Sequence, residues 1–331
     1  MNPLLIPMWR ASTAYSERMT SVNPLVAPLR SSWVRTLRAG GKSPRTIESY
    51  LEGVDSFTRW CEESGRPVMP TEQRRADVEE FIGWLITMRS SGTAGVRYRS
   101  LRQWFRWLDV EDEADDVMAG MSHPTLNESP PPIIRDEHLR ALLDITRPKR
   151  RKPGELANSA RGLADRRDHA ILRVLIDTGM RRGELAALTL TDVDLELGVI
   201  TIRKAKTKRG RLVPLGAKAA DAVDRYLRAR PQHRHAARPE LWLGLHGPLT
   251  GEGVRQIIKA RCVQAGIPHV HVHQFRHTAA HRWLLAGGQE QDLARIAGWT
   301  PGSAMLGRYG ASAAESRARE AHRRLAPGDS P

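Results

Sequence analysis

Cysteine is nearly absent from the sequence, which has only Cys61 and Cys262 among its 331 residues. The two lie far apart and outside any spacing used for metal ligation, so we expect no disulfide framework and a reducing compartment. No window approaches the ~20 apolar residues of a membrane span. The apolar opening of the chain is short, broken by proline and without a basic leader, unlike a secretory signal. We therefore expect a cytoplasmic protein with no membrane partner.

Acidic residues are also scarce relative to basic ones. There are 37 Asp and Glu against 52 Lys and Arg, which gives a formal net charge of +15. Such a surplus favours a polyanionic partner, most simply nucleic acid, although a basic protein made soluble by arginine would share it. The length suggests two domains, since single cores seldom grow past roughly 250–300 residues. Apolar residues make up 40% of the chain, enough to build their cores.

The N-terminal third has the periodicity of amphipathic helices. Ser43 is placed to cap a helix whose first position is Pro44. Apolar residues then recur every three or four positions as far as Cys61, which gives this helix one apolar face. A second helix is predicted from about Ala76. Residues 1–22 show no periodicity and are predicted to form a flexible N-terminal arm.

A third predicted helix, at 93–108, is basic on the side opposite its apolar face. The arginines on that side are candidates for phosphate contacts and some base readout: Arg97, Arg99, Arg102 and Arg106. We predict a helical domain with a basic face at residues 23–118. A linker with a run of prolines is predicted to follow at residues 119–135.

The rest of the chain, residues 136–331, is predicted to be a mostly helical domain with a small antiparallel sheet. Two strands, 199–203 and 211–215, are expected on either side of a charged turn. The predicted helices of this domain are 136–145, 165–177, 181–188, 216–229, 250–265, 273–286, 289–297, 302–309 and a tail helix at 312–325. The predicted fold class is therefore mainly α (α+β).

The run TGMRRGEL at residues 178–185 holds the first candidate for chemistry. It places Arg181 at the start of a predicted helix. A guanidinium is a planar fork of donors that matches phosphate oxygens, and it stays charged at any working pH. Arg181 therefore has the chemistry of a phosphate ligand, although a surface arginine at a helix start would give the same pattern.

The run HQFRHT at residues 273–278 holds the second candidate for chemistry. Positions i and i+3 lie on one face of a helix, so His273 and Arg276 can address the same phosphate. A metal site is the alternative, because histidines crowd together here: His269, His271, His273, His277 and His281. No cysteine or carboxylate joins them, and Arg276 would place a cation beside the metal, so the phosphate site is favoured.

In their order along the chain, these runs resemble the motifs of the tyrosine recombinase (phage integrase) family. The family pattern T-G-x-R-x-x-E-L matches residues 178–185, and H-x-[LF]-R-H-[TS] matches residues 273–278. Gly298-Trp299 resembles the family's G-[HW] pair, and Arg308-Tyr309 resembles its final R-Y. The interval from Trp299 to Tyr309 is one residue longer than is usual in the family.

The segment from Lys204 to Leu215 resembles a further family pattern, G-K-G-x-K-x-R-x-[IV]-P. This match places Lys206 on the family's catalytic lysine, and Lys204 and Lys208 remain alternatives. The helical N-terminal part also resembles the family's core-binding domain. The resemblance thus implies six catalytic residues: Arg181, Lys206, His273, Arg276, Trp299 and Tyr309.

The reaction implied by the resemblance is DNA cleavage and rejoining without metal, ATP or another cofactor. Tyr309 would attack a phosphodiester, form a 3′-phosphotyrosine and release a 5′-hydroxyl. Arg181 and Arg276 would neutralise charge on the non-bridging oxygens, with Trp299 packing nearby and directing its single N–H donor to the phosphate. His273 would help to remove the phenol proton, and Lys206 would protonate the departing 5′-oxygen.

The resemblance also implies the partners. These are double-stranded DNA and other copies of the chain, with four protomers on two DNA sites, and accessory DNA-bending proteins are further candidates. The tail helix at 312–325 would dock on a neighbouring protomer. A type IB topoisomerase-like enzyme and a catalytically silent DNA-binding protein of the same fold are the alternatives. The complete residue set argues against the silent protein, and the core-binding domain and tail helix favour the recombinase.

Overall fold

The computed structural model of the chain describes residues 23–125, 131–147, 160–203, 210–299, 318–319 and 322–323. Over these residues it is mainly helical with two small antiparallel sheets, which confirms the predicted fold class. The chain divides into two compact units, residues 1–128 and 129–331. None of the described helices is both long and apolar enough to span a membrane. The predicted N-terminal arm and the predicted helix at 302–309 lie outside the described residues.

The first unit contains four α-helices within its described residues. They are α1 (Ala27–Ala39), α2 (Pro44–Glu63), α3 (Arg75–Met88) and α4 (Ser91–Val110). Helix α2 begins as predicted, because the Ser43 hydroxyl accepts a hydrogen bond from the backbone N of Thr46 at 3.2 Å. Helix α4 begins earlier than predicted, because Ser90 caps it by accepting from the backbone N of Thr93 at 3.1 Å.

Aromatic side chains fill the core of the first unit. The largest fully buried ones are Trp33, Phe57, Phe81, Trp104 and Phe105. Helices α2 and α4 approach closely at Gly53, where an added Cβ would lie 2.3 Å from the Cβ of Ser100. Because Gly53 has no side chain, the small Ser100 side chain fits against the backbone of α2, where its hydroxyl donates to the carbonyl oxygen of Ser49 at 3.3 Å.

The second unit surrounds a small sheet with helices. Its helices are α5 (Asp136–Thr146), α6 (Ala160–Thr178), α7 (Arg182–Ala186), α8 (Ala217–Ala229), α9 (Gly251–Gln264), α10 (Val272–Leu285) and α11 (Glu290–Ala297). Its three-stranded sheet has the antiparallel order β1 (Val193–Asp194), β2 (Val199–Ile202) and β3 (Arg211–Pro214). A separate pair is formed by β4 (Leu243–Gly244) and β5 (Gly247–Pro248). The sequence did not predict β1, β4 and β5, because two residues are too few to show alternation.

Helix α6 is the central element of the second unit. Five of its apolar residues are at most 1% exposed: Ala170, Ile171, Leu172, Val174 and Leu175. Such an almost continuous apolar run is expected of a helix with neighbours on several sides, and α5, α8 and α10 pack against it. The helix ends at Gly179, as predicted, with φ +56°. The position and direction of the turn that follows are thereby fixed.

An ion pair far along α6 from that turn ties it to α9. The Arg261 guanidinium donates to Asp165 at 2.6 Å and to Asp168 at 2.6 and 2.9 Å. Asp168 is 3% exposed. Asp168 also pairs with Arg167 at 2.7 Å, so losing Arg261 should cost less than the roughly 3–5 kcal/mol typical of a buried charge left unpaired. Arg261 is therefore a residue whose loss should lower the free energy of unfolding.

Candidate active site

The turn after α6 is pressed against helix α10. An added Cβ at Gly179 would lie 3.0 Å from the Cβ of Ala279 and 3.1 Å from the Cα of Arg276. Its positive φ also favours glycine over any other residue. The Thr178 hydroxyl accepts a hydrogen bond from the backbone N of Met180 at 3.2 Å. Glycine and threonine in this motif thus bring the following Arg181 next to α10.

Arg181 is held between a carboxylate and the end of helix α11. Its Nη1 donates to Glu184 Oε1 at 2.8 Å, and its backbone N donates to Glu184 Oε2 at 3.0 Å. Its Nη2 donates to the carbonyl oxygen of Gly298 at 3.2 Å. The side chain is 30% exposed. Arg181 is therefore held in one orientation while part of its side chain stays exposed.

Arg276 lies deeper, at 3% exposure. Its Nη1 donates to the carbonyl oxygen of Gly179 at 3.1 Å, and its Nη2 donates to that of Ala297 at 2.7 Å. Its Cζ lies 5.0 Å from the centre of the Trp299 ring, a cation–π distance. Carbonyl dipoles and an aromatic face therefore stabilise this buried cation, while the role of Trp299 at the phosphate stays a prediction.

Glu184 supplies the negative charge next to these arginines. Its carboxylate accepts hydrogen bonds from Arg181 and from both terminal nitrogens of Arg211, at 3.0 and 2.7 Å. Burial alone would raise the pKa of Glu184, but the hydrogen bonds from Arg211 and Arg181 lower it to about 2. The carboxylate therefore stays charged at any ordinary pH, and it keeps both guanidinium groups in place.

His273 lies one helical turn before Arg276 on α10 and is exposed. Partial loss of solvent around the ring, with the positive charges of Arg276 and Arg181, lowers the pKa of His273 below its usual value. The neutral ring that results can accept a proton at neutral pH. Its edge-to-face contact with His277, at 4.5 Å between ring centres, involves two histidines only. In the part of the chain that the structure describes, no group of three or more potential ligands is arranged to hold a metal ion.

The lowered pKa of His273 predicts a pH dependence of DNA cleavage. Protonation below that pKa would prevent the ring from accepting the phenol proton, so the second-order cleavage rate should fall only below about pH 6.5, the ordinary histidine value. Replacing His273 with glutamine should remove this acidic limb and lower the plateau by about 100-fold or more. The measurement is single-turnover cleavage of a nicked duplex at limiting enzyme, from about pH 5 to about pH 8, the range in which histidine titrates. It gives both the acidic limb and the plateau rate. An unchanged acidic limb in the variant would rule out His273 as the titrating group.

Several predicted residues fall outside the described part of the chain. They are Tyr309, Lys206 and the alternatives Lys204 and Lys208. The strands on either side of the lysines are described, and Ile202 of β2 pairs with Arg211 of β3. The roles of these tyrosine and lysine residues stay predictions.

The arginines that were predicted to contact DNA in the first unit differ in their surroundings. Arg97 donates to Glu52 of α2 at 3.1 Å, and Arg102 donates to the carbonyl oxygen of Met121 at 3.0 Å. Arg99, Arg102 and Arg106 are exposed. Arg97 and Arg102 therefore help to hold the first unit together, while contact with DNA stays a prediction for all four.

Two residues that the sequence analysis passed over, Glu184 and Arg211, lie at the centre of the arginine cluster. Arg211 is 10% exposed and its Nε also donates to the carbonyl oxygen of Ile296, at 2.7 Å. Both lie in the motifs that carry the family resemblance, Glu184 in the run at 178–185 and Arg211 after the lysines. The sequence signal that could have identified them is a glutamate and an arginine at set positions of these motifs, to which no role had been assigned.

Comparison with known families matches both units of the chain. Residues 154–316 match the phage integrase family, and residues 29–114 match the N-terminal SAM-like domain of phage integrases. Tyrosine recombinase XerC 2 of Ralstonia nicotianae is 30% identical over 297 residues, which cover 85% of this chain and 82% of the relative. Tyrosine recombinase XerD of Listeria innocua is 28% identical over 269 residues, which cover 78% of this chain and 85% of the relative.

Solved structures show the same fold. XerH recombinase, bound to palindromic difH substrate in a post-cleavage complex, has a TM-score of 0.65 at 18% identity, covering 83% of this chain and 79% of that one. The Tn1549 transposon integrase, in complex with transposon right end DNA, has a TM-score of 0.65 at 19% identity, covering 90% of this chain and 99% of that one. A lambda integrase dimer bound to a COC′ core site has a TM-score of 0.63 at 13% identity, covering 84% of this chain and 93% of that one.

Proposed function

Since the chain belongs to the tyrosine recombinase (phage integrase) family, whose members cleave and rejoin DNA, we propose that it is a site-specific recombinase with Tyr309 as its nucleophile. The Tyr309 oxygen attacks the phosphorus of a phosphodiester, and the bond to the 5′-oxygen breaks. The products are a 3′-phosphotyrosine and a free 5′-hydroxyl. Attack by a 5′-hydroxyl reverses the step and restores the phosphodiester. No ATP is needed, because the covalent link conserves the energy of the broken bond.

The observation that carries this proposal is the convergence of two arginines on adjacent carbonyl oxygens. Arg181 reaches Gly298, and Arg276 reaches Ala297. Two guanidinium groups fixed so close together are preorganised to stabilise the charge that develops on the non-bridging oxygens of a phosphate. His273 adds a neutral ring on the same helix as Arg276.

Proton transfer completes the proposed reaction. A phenol with an ordinary pKa of about 10 is mostly protonated at neutral pH, so Tyr309 needs a base or a strong positive field. His273 accepts its proton, and the adjacent arginine cluster favours the phenolate. Lys206 donates a proton to the departing 5′-oxygen, which is otherwise a poor leaving group.

Double-stranded DNA is the proposed partner, supported by the net charge of +15 and by relatives of the same fold that were solved with DNA. The lambda integrase is described as a dimer on a core site. For this chain we propose four protomers on two sites, with accessory DNA-bending proteins as candidate participants.

A two-stage experiment tests the proposed function. The full-length protein is incubated with a plasmid library of host DNA fragments, and protein-linked DNA is collected after denaturation and sequenced to locate the cleavage site. The recovered site is then placed twice on one supercoiled plasmid. We expect deletion or inversion of the DNA between the two copies. Relaxation of the plasmid without any recombinant product would instead identify a type IB topoisomerase-like enzyme, and DNA binding without any protein-linked DNA would identify a silent DNA-binding protein.

A further inference from the structure

The C-terminal end of α11 is bound by arginines from three separate elements. Arg211 donates to the carbonyl oxygen of Ile296 at 2.7 Å, Arg276 to that of Ala297 at 2.7 Å and Arg181 to that of Gly298 at 3.2 Å. The last carbonyls of a helix have no partner within it and carry partial negative charge. Three guanidinium groups on three successive carbonyl oxygens therefore fix this helix end in position and direction.

Arg211 binds α11 and a buried carboxylate with all three of its guanidinium nitrogens. Its Nε holds α11, while Nη1 and Nη2 form a paired contact with the Glu184 carboxylate, at 3.0 and 2.7 Å. Glu184 in turn receives Arg181 at 2.8 Å. Contacts thus lead from α11 through Arg211 and Glu184 to Arg181. At 10% exposure, Arg211 has little surface with which to meet DNA itself.

Gly298 provides an independent sign that this contact is tightly fitted. It ends α11 with φ +65°, in the left-handed region. An added Cβ would lie 2.9 Å from Nη1, 3.0 Å from Cζ and 3.2 Å from Nε of Arg211. A side chain at this position would therefore displace the Arg211 guanidinium. Gly298 is also the point from which the chain continues towards Tyr309, eleven residues later.

We propose that Arg211 is a positioning residue of the cleavage reaction, which holds Glu184 so that Glu184 orients Arg181, and which fixes the helix end that precedes the Tyr309 segment. The proposal rests on the proposed function. Arg211 acts through other residues and does not touch the scissile phosphate. Small errors of position are costly in catalysis, since a displacement of about 1 Å can lower a rate by about 100-fold.

The test compares cleavage with DNA binding in the full-length protein. The probe is a nicked duplex that carries the cleavage site recovered with the wild-type protein. Arg211→Met keeps much of the side-chain length but removes the charge and every donor. We expect its single-turnover cleavage rate to fall by about 100-fold, with the Kd for the same duplex nearly unchanged. A wild-type cleavage rate in this variant would overturn the proposal.

A double-mutant cycle separates positioning through Glu184 from a general loss of structure. Glu184→Gln, Arg211→Met and the double variant are compared with wild type. If Arg211 acts through Glu184, the double variant should cleave about as slowly as the slower single variant, because residues that act as a unit are not additive. If the reductions in cleavage rate of the two single variants multiply in the double variant, Arg211 does not act through Glu184.

The matched control is Arg261→Met, which also removes an arginine paired with a buried carboxylate, in a place remote from the arginine cluster. It should lower the melting temperature but leave the cleavage rate of folded protein unchanged. If Arg211→Met does not fold, Arg211→Lys is the deciding variant. Lysine keeps the charge but cannot bind Ile296 and both oxygens of Glu184 at once, so cleavage should be slowed while DNA binding stays intact. Cleavage at the wild-type rate would overturn the proposal. Wild-type protein that fails to cleave, by contrast, contradicts the proposed function itself.

Discussion

Replacing Tyr309 with phenylalanine should abolish the covalent protein–DNA adduct while leaving DNA binding close to wild type. The substitution removes one oxygen atom and keeps the ring, so only the proposed nucleophile is lost. A nicked duplex that releases a short fragment after cleavage traps the adduct, because the 5′-hydroxyl needed for rejoining diffuses away. The measurement is the yield of protein-linked DNA on a denaturing gel, beside the Kd of each protein for the same duplex.

Tyr226 provides the matched control. It is 1% exposed, its hydroxyl donates to the carbonyl oxygen of Leu241 at 3.0 Å, and it accepts from the backbone N of Leu243 at 3.1 Å. Burial raises the pKa of Tyr226, which makes it a poorer nucleophile still. Tyr226→Phe should cost stability but retain the adduct in folded protein. Adducts that persist in Tyr309→Phe would contradict the assignment of the nucleophile.

Replacing Arg276 with lysine should lower the cleavage rate by about 100- to 1,000-fold, the range seen when one preorganised donor to a developing oxyanion is removed. Arg276 bridges the carbonyl oxygens of Gly179 and Ala297 while lying against Trp299. Lysine keeps a point charge, but it has no planar fork of donors with which to bridge these groups and also meet a phosphate. Binding should change far less than the rate, because the interaction is strongest in the transition state.

Arg282→Lys is the control for the Arg276 substitution. Arg282 lies on the same helix, is 40% exposed and pairs with Asp136. The same chemical change there should leave cleavage at the wild-type rate, since pairs at the surface contribute little. Equal rates for Arg276→Lys and wild type would show that a positive charge alone suffices at that position.

Local signals in the sequence predict those parts of the fold that depend on neighbouring residues. Ser43 caps α2 and Gly179 ends α6, as expected from short-range chemistry. The start of α4 was predicted too late, because the apolar periodicity begins after the residue that caps it. The strands β1, β4 and β5 pair with residues only three to seven positions away, but two residues are too few to show a periodic pattern.

In the candidate active site, too, the sequence predicts residues within short motifs but not the contacts that distant residues form. Arg181, His273 and Arg276 could be found from motifs, because each lies in a run whose spacing is informative. The link between Arg211 and Glu184 joins residues 27 positions apart, and the link between Arg211 and Ile296 joins residues 85 apart. Such pairings depend on tertiary packing. The contacts of Arg97 and Arg102 within the first unit have the same origin, since their partners lie on other segments.

The most direct test of the central claim is to identify the amino acid that carries the DNA. Wild-type protein is trapped on the nicked duplex, digested with protease and nuclease, and the nucleotide-linked peptide is sequenced by mass spectrometry. We expect a single linked peptide with the 3′-phosphate of the cleaved strand attached to the oxygen of Tyr309. Attachment to any other residue, or DNA cleavage without a linked peptide, would contradict the mechanism.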